Sequence, residues 1–171
     1  MIETSIPEAH DAEGINEVIK QSWYATYVTP EIGVTRKDVD LLYAEYEARQ
    51  IEAFRQRALH PIVDDISLVA KDSEKVLGYI RFKVLENEIE LRTLYILPGE
   101  TGRGIGTMLW EEGMKLLPAG IPIFTEPVEH TRAVDFYKKI GFVDMGERYK
   151  APETLPDSGI SLPLMKMLYT R

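Results

Sequence analysis

One stretch, Glu90-Leu-Arg-Thr-Leu-Tyr-Ile-Leu-Pro-Gly-Glu-Thr-Gly-Arg-Gly-Ile-Gly-Thr-Met-Leu109, constrains this chain most, because an apolar strand runs through a glycine-rich turn directly into a helix. Gly102, Gly104 and Gly106 let the backbone approach a ligand without Cβ obstruction, and the first N–H groups of the following helix have no partner inside that helix. With the positive end of the helix dipole, those donors form an anion site that needs no lysine. The unit is built to hold phosphate.

Two common phosphate motifs fit it poorly. A nucleotide-triphosphate loop requires Gly-x-x-x-x-Gly-Lys-Ser/Thr, but Gly99 and Gly104 are followed by Ile105, so the lysine is missing. The dinucleotide fingerprint Gly-x-Gly-x-x-Gly can begin at Gly102, with Glu126 at the distance of a ribose-binding acid. Thr107 then stands where the third glycine belongs, and the unit lies mid-chain rather than at the first strand. An ordinary strand-to-helix turn needs fewer than three alternating glycines.

A third reading comes from two motifs together. Thr101-Gly-Arg-Gly-Ile-Gly106 resembles the Gln/Arg-x-x-Gly-x-Gly/Ala segment of the GNAT superfamily of N-acetyltransferases. About twenty-five residues later, His130-Thr-Arg-Ala-Val-Asp-Phe-Tyr-Lys-Lys-Ile-Gly-Phe142 resembles that family's second signature, Asn-x-x-Ala-x-x-Phe-Tyr-x-x-x-Gly-Phe. The joint match spans roughly Glu90 to Phe142. It implies a single-domain mixed α/β fold, 1–171, with a splayed, mostly antiparallel central sheet of about seven strands flanked by about four helices.

The elements read from the sequence suit that plan. Ile2–Ile6 alternates as a strand, and Pro7 with Glu8, Asp11 and Glu13 opens a helix carrying Ile15, Val18, Ile19 and Trp23 at helical spacing. Thr29-Pro30-Glu-Ile-Gly33 ends it, and a long second helix follows from Arg36 or Lys37 to about Leu59. Three strands, Ile66–Ala70, Val76–Leu85 and Glu88–Leu97, form an antiparallel meander. Beyond the glycine turn come a helix Gly104–Leu117, a strand Ile121–Glu126, a helix Thr131–Ile140, and strands near Phe142–Tyr149 and Ser161–Tyr169. Lys150–Gly159, rich in proline and acid, is a loop.

Composition narrows the functional classes. At 171 residues the chain suits one domain burying about two thirds of its extended surface. It has no apolar run near the ~20 residues that span a bilayer and no basic-then-apolar leader, so a cytoplasmic protein with no membrane partner is expected. Having no cysteine, it forms no disulfide, thiolate metal site or cysteinyl-acyl intermediate. A net charge of −8 argues against a nucleic-acid surface and is compatible with a cationic substrate. No metal-ligand spacing or Ser-His-Asp arrangement appears, and His10 and His60 are isolated.

The resemblance implies acetyl-CoA as cofactor, with its pyrophosphate on the backbone N–H groups of Gly102, Arg103, Gly104, Gly106 and Thr107. Arg103 can add positive charge, and Thr101 replaces the family's usual Gln or Arg. Leu94 and Ile96 match strand positions whose backbone groups pair with the pantetheine arm as if it were another strand. His130 occupies the place of the Asn whose side chain contacts that arm. Tyr137 matches the tyrosine that protonates the departing thiolate, a contribution of typically about 10²–10⁴-fold.

Acetyl transfer to an amine also needs a proton acceptor. An alkylamine with a pKa near 10.4 is neutral in about one molecule in 2,500 at pH 7, so selecting the neutral form costs ~4.6 kcal/mol. Glu90, fourteen residues before Gly104, matches the strand position of the family's glutamate base. Strand alternation puts Glu88 on its face, which would raise one of two carboxyl pKa values; Arg81 or Arg92 could instead pair with them. Glu126 and a water relay are the alternatives. By the same resemblance the acceptor lies over the first two helices and the late loop, near Trp23, Tyr24 and Tyr27, whose rings with nearby carboxylates suit a small cationic amine or polyamine. A peptide or protein acceptor, or an acyl-CoA-binding sensor without turnover, are the competing readings. The long second helix offers a surface that a homodimer could use.

Overall fold

The computed structural model describes residues 1–170 and contains a seven-stranded sheet in the order β1-β2-β3-β4-β5-β7-β6. The strands are β1 (Ile2–Ser5), β2 (Asp65–Asp72), β3 (Lys75–Val84), β4 (Ile89–Ile96), β5 (Ile123–Thr125), β6 (Val143–Lys150) and β7 (Pro163–Tyr169). The helices are α1 (Ala12–Thr26), α2 (Arg36–Leu59), α3 (Ile105–Leu116) and α4 (Arg132–Lys139). Every strand pair is antiparallel except β4 with β5.

The expected order of elements holds, and the differences lie at the ends. Ile6 leaves β1 and is exposed. β5 is three residues long rather than six, because Pro122 and Pro127 bracket it and neither can donate to a ladder. Pro122 still contributes its carbonyl, which accepts from the Ile89 N–H at 2.9 Å.

Three apolar clusters hold the layers. The largest lies between the sheet and α3 with α4, where Ile80, Phe82, Ile89, Leu109 and Met167 are completely buried. Burying a side chain of this size stabilises by about 1.5–3 kcal/mol. α3 contributes Ile105, Leu109, Trp110 and Gly113, spaced to face the sheet once per turn. On the other face, Ile15, Val18 and Ile19 of α1 pack on Val69, Val76 and Tyr79. The third cluster joins the α1–α2 connection, through Tyr27, Ile32 and Val34, to Leu155 of the β6–β7 loop.

The β3–β4 ladder contains a bulge. Arg81 faces Thr93 but Phe82 faces Leu91, so Arg92 is an extra residue in β4. Side chains before it alternate Ile89 and Leu91 toward α3 with Glu90 toward the α1 side. After it the phase has moved by one: Leu94 and Ile96 join the α3-side core, and Thr93 and Tyr95 face α1.

Candidate active site

The sheet opens between β4 and β5. Their pairing is limited to Ile89 with Ile123 and Glu90 with Phe124, and beyond Glu90 the two strands part. The Leu97 N–H donates to Leu77 at 2.8 Å, so by alternation the backbone groups of Leu94 and Ile96 point away from β3, into the opening. Ser22 Oγ donates to the Ile96 carbonyl at 3.0 Å, which leaves the Ile96 N–H and both backbone groups of Leu94 as edge groups for an extended ligand.

At one end of the opening stands the glycine turn. Gly102 and Gly104 adopt φ of 82° and 80°, the left-handed region that a side chain disfavours, and a Cβ on either would meet nothing within 4 Å. Gly104 is the N-cap of α3; the first turn has neither a side-chain cap nor an acidic residue, and the Met108 N–H makes the bond to the Gly104 carbonyl at 2.9 Å. The N–H groups of Ile105, Gly106 and Thr107 therefore precede the helical ladder, beside open space. Thr101 contributes a turn bond, its hydroxyl donating to the Pro98 carbonyl at 3.0 Å. Arg103 is hydrogen-bonded to Glu100, which also lies 3.7 Å from Lys75. The positive charge expected of Arg103 is thus offset, and the backbone and helix dipole are what the turn offers an anion. This arrangement fits a pyrophosphate.

α4 closes the second side. A Cβ on Gly106 would lie 3.3 Å from the Phe136 ring, so the two sequence motifs meet here. Next to Phe136, Tyr137 is 6% exposed, and burial pushes its phenol well above the ordinary tyrosine value despite a hydrogen bond with Thr125. The Thr125 hydroxyl in turn donates to the Leu91 carbonyl at 3.0 Å, just past the last β4–β5 pair. Tyr137 is thereby held in the core beside Thr125, at the residue where β4 and β5 part. His130 sits at φ 62°, a conformation in which Asn and His are enriched among non-glycine residues. It keeps the backbone that an Asn would adopt, with its ring exposed.

The carboxylates take separate places. Glu90 is bonded by Arg92 Nε at 2.7 Å and its side chain is 22% exposed, while Arg81 goes to Asp65 through two bonds of 2.7 and 2.6 Å. Glu88 lies in the turn before β4, its carbonyl accepting from the Leu85 N–H at 2.9 Å, so strand alternation does not set its position beside Glu90. Glu126, exposed at the end of β5, hydrogen-bonds the Tyr149 phenol of β6, which burial and nearby Glu126, Glu147 and Glu90 push up. Glu126 and, less strongly, Glu90 thus both act on the Tyr149 phenol.

The α1 side is walled by aromatic rings. Trp23 and Tyr27 meet edge-on at 4.9 Å, and the Tyr27 hydroxyl is 3.1 Å from that of Tyr95. Burial pushes both phenols up. Tyr27 is itself buried, so it shapes this wall from behind. Sequence reasoning missed Tyr95 because unbroken alternation from Glu90 assigns it to the opposite face; only the bulge at Arg92 turns it toward α1. Among the described residues no cluster of potential metal ligands occurs, and no helix is long and apolar enough to cross a membrane.

Comparison with known proteins agrees with this geometry. The family described as "Acetyltransferase (GNAT) family" matches residues 34–142, and the chain belongs to it. The peptidyl-lysine N-acetyltransferase YjaB of Salmonella typhimurium is 34% identical over 98 residues, covering 57% of this chain and 60% of that protein. Among solved structures, the PaiA N-acetyltransferase of Thermoplasma acidophilum in complex with coenzyme A superposes over 100% of this chain and 99% of its own, with a TM-score of 0.76 and 22% identity. YncA of Salmonella typhimurium, a putative acetyltransferase with its cofactor acetyl-CoA, covers 99% of this chain and 93% of its own, with a TM-score of 0.59 and 20% identity.

Proposed function

We propose that this protein transfers an acetyl group from acetyl-CoA to a primary amine, with a small cationic amine or polyamine as acceptor, by direct attack in a ternary complex. The observation that carries this reading is the fork: an uncapped helix start at Gly104 and edge groups at Leu94 and Ile96 border one opening, with the buried Tyr137 beside Thr125 where the strands part. Bound acetyl-CoA supplies a thioester as acyl donor. The N–H groups around Gly102 to Thr107 hold its pyrophosphate, charge-assisted bonds being worth about 1.5–3 kcal/mol each. The edge groups of Leu94 and the Ile96 N–H align the arm, and the Leu94 N–H is placed to stabilise negative charge on the acyl oxygen. Tyr137 delivers a proton to the leaving sulfur.

Glu90 is the base in this scheme. It projects from β4 toward the α1 side, opposite the α3-side core, where an amine can approach while the arm lies between the strands. Glu126 with Tyr149 adds acceptor groups for the cation. The relative named as a peptidyl-lysine N-acetyltransferase favours a second reading, in which the amine is a lysine side chain. A thiol-release assay with acetyl-CoA against polyamines, aminoglycosides, amino acids and lysine-containing peptides decides between them. Release with small polycations and not with peptides supports the first; the reverse supports the second. Coenzyme A binding with no release on any amine overturns both.

A further inference from the structure

Asp38 has more partners than its helix requires. It is the third residue of α2 and is 0% exposed. One carboxylate oxygen closes a local capping box, accepting from the Thr35 N–H at 2.9 Å and the Thr35 hydroxyl at 3.0 Å, while the Asp38 N–H donates to Thr35 Oγ1 at 3.0 Å. The other oxygen reaches across the chain, accepting from the Asp157 N–H at 2.7 Å and the Ser158 N–H at 2.9 Å. Lys37 with Asp157 at 2.7 Å, and Thr35 Oγ1 with Asp157 Oδ2 at 2.9 Å, reinforce the same junction at the surface.

What is pinned there is the loop between β6 and β7. The loop is itself folded, with the Leu155 N–H on the Ile160 carbonyl at 2.8 Å and the Gly159 N–H on Leu155 at 2.9 Å. Leu155, Ile160 and Leu162 pack in the cluster with Tyr27 and Tyr95. Tyr95 follows Leu94, whose backbone borders the opening. One buried carboxylate therefore ties the start of α2 and the late loop into a single wall beside the fork.

We propose that Asp38 is a positioning residue for the acceptor: its carboxylate fixes the loop wall against which the carbon skeleton of the amine packs, so that amine affinity depends on it and acetyl-CoA affinity does not. The proposal rests on the acetyltransferase reading above. The hydrogen bonds of Asp38 go to Thr35, Asp157 and Ser158 and not to the glycine turn or Leu94, which separates the two affinities.

The test compares the wild type with Asp38→Asn, which keeps the shape but turns a donor toward backbone N–H groups. The expected result is a rise of about tenfold or more in the amine KM, with kcat and the coenzyme A Kd within about twofold. Cleavage by a glutamyl endopeptidase at Glu153, inside the loop, should accelerate by about tenfold or more as the loop opens. If Asp38→Asn does not fold, as judged by circular dichroism, Thr35→Val removes the hydroxyl from both Asp38 and Asp157 and should move the same readouts the same way. A folded variant with unchanged amine KM overturns the proposal, as does one in which kcat and coenzyme A affinity fall in step with it. Wild-type protein that acetylates no amine overturns the functional reading instead; the cleavage rate then still reports on the tie, and an unchanged rate removes the Asp38 role by itself.

Discussion

Thr125 and Leu91 are joined across the fork, the threonine hydroxyl donating to the leucine carbonyl at 3.0 Å one step beyond the last paired residues of β4 and β5. The same hydroxyl holds the Tyr137 phenol. A single buried side chain therefore joins the strands where they part and meets the Tyr137 phenol. Thr125→Val keeps the shape and deletes both bonds, leaving a buried carbonyl and a buried phenol without that partner. The expected loss is ~1–3 kcal/mol, read as a fall in Tm, together with a lower kcat.

Tyr137→Phe should leave the aromatic packing against Phe136 and Phe142 in place and remove only the proton donor. The expected result is a fall in kcat of about 10²-fold or more with coenzyme A affinity unchanged, measured by steady-state kinetics and calorimetry.

The pH profile follows from the direction of the Tyr137 shift. Its folded pKa is raised, and the useful form is the protonated one, present at every pH below that raised value. Activity should therefore climb as the amine loses its proton, with no descending limb from this phenol up to pH about 10, the ordinary tyrosine value. A descending limb below that pH in the wild type, missing from Tyr137→Phe, would contradict the assignment.

Gly104→Ala places a Cβ on a residue at φ 80° without creating a clash, since nothing lies within 4 Å. The cost is conformational, ~1–2 kcal/mol, if the left-handed backbone is kept. If the turn relaxes instead, its N–H groups turn away and coenzyme A affinity falls by about 10- to 100-fold. Calorimetric titration with coenzyme A, beside a thermal melt, separates the two outcomes.

Acid stability offers a check on Asp38. Burial alone would raise its pKa, but the hydrogen bonds from Thr35, Ser158 and Asp157 outweigh that and hold it well below the usual aspartate range. A depressed folded pKa stabilises above the unfolded value of about 3.9, and the contribution is lost as pH falls toward the folded value. The Tm difference between wild type and Asp38→Asn should thus be largest near neutral pH and shrink as pH drops below about 4.

The order of elements was legible because apolar periodicity and turn residues mark it: Ile15, Val18 and Ile19 announce α1, and Gly102 to Gly106 announce the start of α3. The two motifs pointed to one site, and the approach of Phe136 to Gly106 is where they meet. Three features were hidden for physical reasons. Pairing between β4 and β5 ends after two residues, which depends on where two distant strands diverge rather than on either sequence. The bulge at Arg92 carries no glycine or proline to mark it. Thr35-x-x-Asp38 reads as a local cap, and nothing nearby in sequence says that the second carboxylate oxygen reaches residues 157 and 158. Arg103 shows a different limit, since its charge was visible but its partner Glu100 uses it.

The extra residue in β4 works as a phase shifter. Ahead of it, odd-numbered residues carry the core and the even-numbered Glu90 faces α1; behind it the parity is exchanged, so Leu94 can offer its backbone to the opening while Tyr95 turns toward α1. Were Arg92 paired in a regular ladder instead of bulged, counting from Glu90 would run unbroken and point Tyr95 into the α3-side core, whereas deleting Arg92 would keep Tyr95 opposite Tyr79. One unpaired residue thus decides which face of the sheet each later side chain of the strand takes.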